Sequence, residues 1–187
     1  ICKVQCRMSP SQSAAASAPG LEAAPASAEL VLESFLPYRL SVLSNRVSQA
    51  IARIYAERFD LSVTEWRLMA VLGRYPGLTA GELVERTAMD KVAVSRALAR
   101  LMASGRVERG SDERDRRRVP LELSAAGRAV YAQVAPLALE YERALLSGLD
   151  AAEYAQFDAL LGRLLEATAG AEDSLRSAAL RATDASR

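Results

Sequence analysis

The residues of this chain best suited to act on another molecule are a run of charge and four side chains just ahead of it. The run is Asp112-Glu113-Arg114-Asp115-Arg116-Arg117-Arg118, and the four side chains are Lys91, Ser95, Arg96 and Arg100. A guanidinium is a rigid fork of N–H donors that matches phosphate oxygens and the O6/N7 edge of guanine, so clustered arginines select a polyanion. From Lys91 to Arg118 there are nine basic residues against four acids, a local charge of +5 in a chain of net charge +1, which leaves −4 for the rest. A basic patch on a nearly neutral chain fits a polyanion site better than a diffuse basic tail does. No acid occurs from Lys91 to Val107, whereas an ordinary solvated helix face mixes both signs. A solvated face at 91–100 and a soluble charged loop at 112–118 are the alternatives.

Other chemistry is restricted by what the chain lacks. With no histidine, Ser-His-Asp and Cys-His catalysis, His-ligated zinc and the usual pH switch are excluded. There are no paired carboxylates in an evident cleft and no glycine-rich phosphate loop, so no enzyme activity and no cofactor is expected. Cys2 and Cys6 stand in a loose segment without further ligands, so no metal site is expected. No apolar run approaches the ~20 residues of a membrane span, and the first residues have no secretory apolar core. A cytoplasmic protein is expected, with Met8 read as the natural start and residues 1–7 as a remnant.

These side chains need elements to position them. Leu36, Leu40, Leu43, Val47, Ile51 and Ile54 recur at three- and four-residue steps, which predicts an amphipathic helix over 30–58. Thr64 reads as the N-cap of a helix over 65–75 that Pro76-Gly77 ends. Thr79-x-x-Glu82 is a capping box for a short helix running to 87. Asp90 caps a helix over 91–104, with Val94, Ala97, Leu98 and Leu101 buried and Gly105 as its stop. Residues 106–109 and 119–123 read as strands around the charged tip, with Pro120 placing the second at an edge. Ser124 caps a long helix to 147, and Asp150 opens a last one to 168.

The order predicts a mainly α fold with a small β-wing. A winged helix-turn-helix over 64–123 is flanked by an N-terminal dimerisation helix over 29–63 and C-terminal dimerisation helices over 124–169. Residues 1–28 and 170–187 are expected as disordered tails, the first from its Ser, Ala, Pro and Gly content. The outer helices have broad apolar faces that a single winged helix cannot cover, and a second copy in a two-fold dimer is the expected cover.

The chain resembles the MarR family of transcriptional regulators. The resemblance rests on Glu65-Trp-Arg-Leu-Met-Ala-Val-Leu72, Leu78-Thr-Ala-Gly-Glu-Leu83, Met89 through Leu101 and Gly105-Arg-Val-Glu-Arg109. The last matching stretch is Asp115-Arg-Arg-Arg-Val-Pro-Leu-Glu-Leu-Ser-Ala-Ala-Gly127. In combination the Asp-x-Arg pair, the strand and Ser-x-x-Gly at fixed spacing are distinctive. The resemblance implies an obligate dimer on a palindromic double-stranded operator, one winged helix per half-site.

In a helix-turn-helix the second helix enters the major groove. Ser95 and Arg96 are then the candidates for base edges, Val92 or Ala93 for a thymine methyl, and Lys91 and Thr79 for phosphates, with Arg100 on the same DNA-facing side. Lys91 is placed where the helix N-terminus also favours an anion. Arg117 matches the family's minor-groove arginine and Asp115 the acid that orients it, while Arg114, Arg116 and Arg118 would hold flanking phosphates. The family further implies repression relieved by a small aromatic or phenolic carboxylate, for which Tyr38, Arg39, Asn45, Arg46 and Trp66 are the candidates. Salt bridging by Arg39 and Arg46 and simple core packing by Trp66 are the alternatives. The family's cysteine-based peroxide sensing would need a thiol in the folded body, whereas Cys2 and Cys6 stand in the tail, and its zinc sensing would need histidines, which the chain lacks. A winged helix used for protein contact and a ligand-independent DNA-binding regulator stand as the other functional readings.

Overall fold

The computed structural model describes residues 30–110 and 119–184, apart from the side chains at 169, 172, 175 and 178–184. The elements are α1 (Leu36–Phe59), α2 (Val63–Arg74), α3 (Ala80–Thr87), α4 (Lys91–Ala103), β1 (Val107–Arg109), β2 (Leu121–Leu123), α5 (Ala125–Leu146) and α6 (Ala151–Asp184). The expected class, mainly helical with a two-stranded wing, is the one observed. The chain divides into two compact units, one ending at Val42 and the other beginning at Leu43. In the first, Ser34 closes a turn on the Val31 carbonyl, and α1 then starts at Leu36 rather than at 30. Pro37 has no N–H and clashes with a preceding helical turn, so it fits only in a first turn.

In the second unit each helix of the winged segment starts on a side chain that occupies otherwise unpaired N–H groups. α2 is capped by Ser62, whose hydroxyl accepts from Glu65 N while Glu65 Oε2 accepts from Ser62 N at 2.7 Å. Thr64, the residue expected here, has Arg67 three positions on, which offers no acceptor to close the box. Thr79 with Glu82 and Asp90 do cap α3 and α4 as expected. Gly105, at φ +67°, turns the chain out of α4. The core joins Leu68, Met69 and Leu72 of α2, Leu83 of α3, Val94, Leu98 and Leu101 of α4, and Val107, Leu121 and Leu123 of the sheet. Tyr55 of α1 and Val134 of α5 close over it.

β1 and β2 pair antiparallel, Val107 opposite Leu123 and Arg109 opposite Leu121. β2 is not an edge strand. Leu121 N donates to Leu78 O at 2.9 Å and Gly77 N to Leu121 O at 3.0 Å, so β2 lies between β1 and the segment ahead of α3. Pro120 sits one residue before this ladder, where its missing N–H is not needed. α6 continues to Asp184, past the expected stop at 168 and through the segment expected as a disordered tail. Residues 169–184 hold one glycine, no proline and several alanines, a composition that favours helix. Among the described residues no helix is long and apolar enough to cross a membrane.

Tyr55 is fully buried beside the Trp66 ring, centroids 5.6 Å apart. Burial pushes its phenol from 10.0 up to about 12, with the Arg67 charge pulling slightly the other way. Because the folded value exceeds the unfolded one, the associated stability is whole below pH 10.0 and is lost as the pH rises toward about 12. Tyrosinate absorbance should therefore show one of the six tyrosines ionising late and together with loss of helicity. A single ionisation step shared by all of them in the intact fold would contradict this.

Candidate nucleic-acid interface

Val94, Ala97, Leu98 and Leu101 bury one side of α4 as its spacing requires. The other side presents Lys91, Val92, Ser95, Arg96 and Arg100 to solvent, with Ala93 half-buried. Beside this face runs a cleft of about 780 Å³ between α3, α4 and the sheet, where Thr79, Lys91 and Ser95 come together with Arg109 and Val119. Arg109 is exposed at the end of β1. Strand alternation puts it on the same face as buried Val107, so no sequence signal marked it as exposed, and it was not among the candidates.

Three candidates are held differently from expectation. The Asp90 carboxylate already accepts from Val92 N and Ala93 N at 2.9 and 3.0 Å. The positive end of α4 is thus met from within, and Lys91 contributes only its own charge. The Thr79 hydroxyl donates to Glu82 Oε2 at 2.9 Å and accepts from Glu82 N, so a bond from it to phosphate requires the Glu82 bond to break. Arg100 Nε lies 2.9 Å from Oε1 of Glu65, a carboxylate that is almost wholly buried. Arg114, Asp115, Arg116, Arg117 and Arg118 lie outside the described residues.

The base of the wing is fastened by residues that sequence reasoning did not assign to the site. Arg106, directly after α4, donates from its guanidinium to the carbonyls of Phe59 and Asp60. Its backbone carbonyl accepts from Ser124 N at 3.0 Å. The Ser124 hydroxyl accepts from Gly127 N at 3.0 Å and donates to Gly105 O at 2.6 Å. α5 therefore starts against the turn that leaves α4, and no side chain fits between them at Gly127.

The effector candidates are divided between the two units. Tyr38 and Arg39 are exposed in the first unit, and Asn45 and Arg46 are exposed on the second unit's part of α1. Trp66 stacks between Tyr55 and Tyr131, centroids at 5.6 and 6.0 Å, and belongs to the core. The large cleft and a smaller recess of about 310 Å³ beside Glu65 and Arg100 are lined by none of the five.

The sequence model of the MarR family matches residues 59–118, from the end of α1 to the wing. A MarR family transcriptional regulator from Silicibacter pomeroyi has the same fold, with a TM-score of 0.65 and 28% identity over 75% of this chain and 97% of that one. The transcriptional regulator HosA of Escherichia coli O127:H6 is 29% identical over 117 residues, 63% of this chain and 87% of HosA. The chain is similar to MarR family regulators in sequence and in fold. A mutant MarR from Escherichia coli solved with operator DNA is 26% identical, over 74% of this chain and 99% of that one, with a TM-score of 0.61. MarR family members are transcriptional regulators, and the winged helix-turn-helix described above is the MarR architecture.

Proposed function

We propose that this chain is a homodimeric, sequence-specific DNA-binding regulator that represses from a palindromic operator in the cytoplasm and is released by a small aromatic or phenolic carboxylate. The observation that carries the DNA-binding reading is the outer face of α4. Lys91, Ser95 and Arg96 stand exposed beside the cleft, on a helix whose opposite side is locked into the core. Ser95 and Arg96 read bases, and Lys91 with Arg109 holds phosphates. The wing run 114–118 completes the grip, with Arg117 in the minor groove and Asp115 orienting it.

The dimer is supported by the apolar side chains that α5 and α6 leave exposed in a single chain, among them Leu139, Leu145, Phe157, Leu160 and Leu165. Covering them with a two-fold copy places two α4 helices for half-sites ~34 Å apart. A duplex gripped in this way is closed to other proteins, which is repression in its simplest form. For the effector, Arg46 and Arg53 are both exposed on α1 and, seven residues apart, share a helix face, where the fork of either guanidinium can meet a carboxylate bidentately. A rise in melting temperature with aromatic acids checks that part.

Salt decides the central reading. Duplex affinity should fall steeply as salt rises, with a log–log slope of roughly −0.9 for each phosphate neutralised. An affinity that hardly responds to salt would point instead to a winged helix used for protein contact.

A further inference from the structure

Glu65 uses its two carboxylate oxygens in two directions. Oε2 accepts the backbone N–H of Ser62 at 2.7 Å and closes the cap of α2, while Oε1 meets Nε of Arg100 at 2.9 Å. Glu65 is 3% exposed and is the one charged residue in the buried core among the described residues. Arg100 leaves α4 one turn after Arg96, so a capping residue of α2 also anchors the helix that carries the base-reading side chains. On the other side of the same small recess, Arg106 ties the turn after α4 to the last carbonyls of α1.

With Glu65 buried and the Arg100 side chain largely exposed, this ion pair is a weak source of stability, because the cost of desolvating the carboxylate offsets much of the attraction. Its better-attested effect is to fix one arrangement among several. A carboxylate this enclosed cannot lose its partner cheaply, so α4 has one rotation about its axis in which Arg100 reaches it. That rotation sets where Ser95 and Arg96 point, since residues one turn apart are rigidly linked through the helix. Hydrophobic packing of Val94, Leu98 and Leu101 alone tolerates small rotations and slides.

We propose that Arg100 and Glu65 are a positioning pair that fixes the rotation of α4 for base reading, and that Arg100 does not serve as a phosphate contact. The inference rests on the DNA-binding function proposed above. It is tested with the full chain, a duplex that the unaltered protein selects from a randomised pool, and a scrambled duplex of the same length. Glu65→Gln preserves the cap, because glutamine also closes the box with Ser62. Glu65→Gln and Arg100→Gln should each lower the ratio of selected to scrambled affinity by roughly tenfold, and the double variant should be no worse than the weaker single one. The salt slope on the scrambled duplex should stay that of the unaltered protein. Removing an acid near a DNA-binding face would, by charge alone, tighten binding, so lost discrimination in Glu65→Gln reports positioning. The proposal is overturned if Arg100→Gln makes the salt slope shallower by ~0.9 per half-site while Glu65→Gln discriminates as before. It is equally overturned if neither variant changes the ratio. Should Arg100→Gln fail to fold with Glu65 left unpaired, Glu65→Gln and the double variant decide the matter. Absence of salt-dependent duplex binding in the unaltered protein would be a failure of the DNA-binding function itself, visible without any variant.

Discussion

Gly127→Ala should destabilise the protein by ~3 kcal/mol, the upper part of the usual range for overpacking. Helix propensity alone says the opposite, since alanine in place of a helical glycine is worth up to ~1 kcal/mol in stability. The sign is decided by space. A Cβ at this position would lie 2.0 Å from the Arg106 carbonyl oxygen and 3.0 Å from its carbon. Neither atom can swing aside as a flexible side chain would. The Arg106 carbonyl accepts from Ser124 N, its N–H donates to Leu101 O at 2.8 Å, and its guanidinium is held at the end of α1. Relief would have to come from moving α5 away from the wing, which breaks the Ser124 bonds to Gly105 and Gly127. For a domain of this size the melting midpoint should drop by ~6–12 °C, with duplex binding weakened because β2 leads directly into α5. A variant that melts at or above the unaltered protein would show that the Arg106 carbonyl can retreat, and the propensity gain would then have prevailed.

The same pair of residues shows how far the sequence could be read. The spacing Ser124-x-x-Gly127 was visible as a signature and Ser124 as a cap, because capping is local and needs only residue types at fixed offsets. That Gly127 exists to admit the carbonyl of Arg106 was not visible, since the two are brought together by a turn out of α4 and a strand pair. The buried stripe of α4 was legible for the same local reason, one apolar residue at each helical step. Ser62 was missed in favour of Thr64, although Glu65 stands three residues after Ser62 and not after Thr64. Arg100 illustrates the limit more sharply. On a helical wheel it belongs to the exposed basic face, and its side chain is indeed largely exposed. Only the tertiary approach of α2 reveals that its Nε reaches back to a buried acid. Pro120 misled because a proline argues for an edge only when it lies inside the ladder, and here the ladder begins one residue later.

Arg96 and Arg117 should separate two kinds of loss in DNA binding. Arg96 is exposed and makes no hydrogen bond or ion pair with another described residue, so Arg96→Ala should leave the melting curve in place. Its loss should cost ~1–3 kcal/mol of discrimination at one base pair per half-site. In a two-fold dimer the site is read twice, so the symmetric operator should lose about 2–6 kcal/mol of its advantage over scrambled DNA if the half-sites add. Arg117 is proposed for the minor groove, where an arginine senses groove width and potential more than base identity. Arg117→Ala should therefore weaken selected and scrambled duplexes alike, and it should make the salt slope shallower by ~0.9 per half-site. The two variants exchange signatures if the roles are wrong. A uniform loss with a shallower slope in Arg96→Ala would make Arg96 a phosphate contact and shift base reading to Ser95. A loss confined to the selected duplex in Arg117→Ala would make the wing a reader of sequence. Loss of folding in either would move that residue from recognition to structure. Intact folding in both variants, with discrimination lost in one and affinity in the other, would assign base reading to α4 and the general grip on the duplex to the wing.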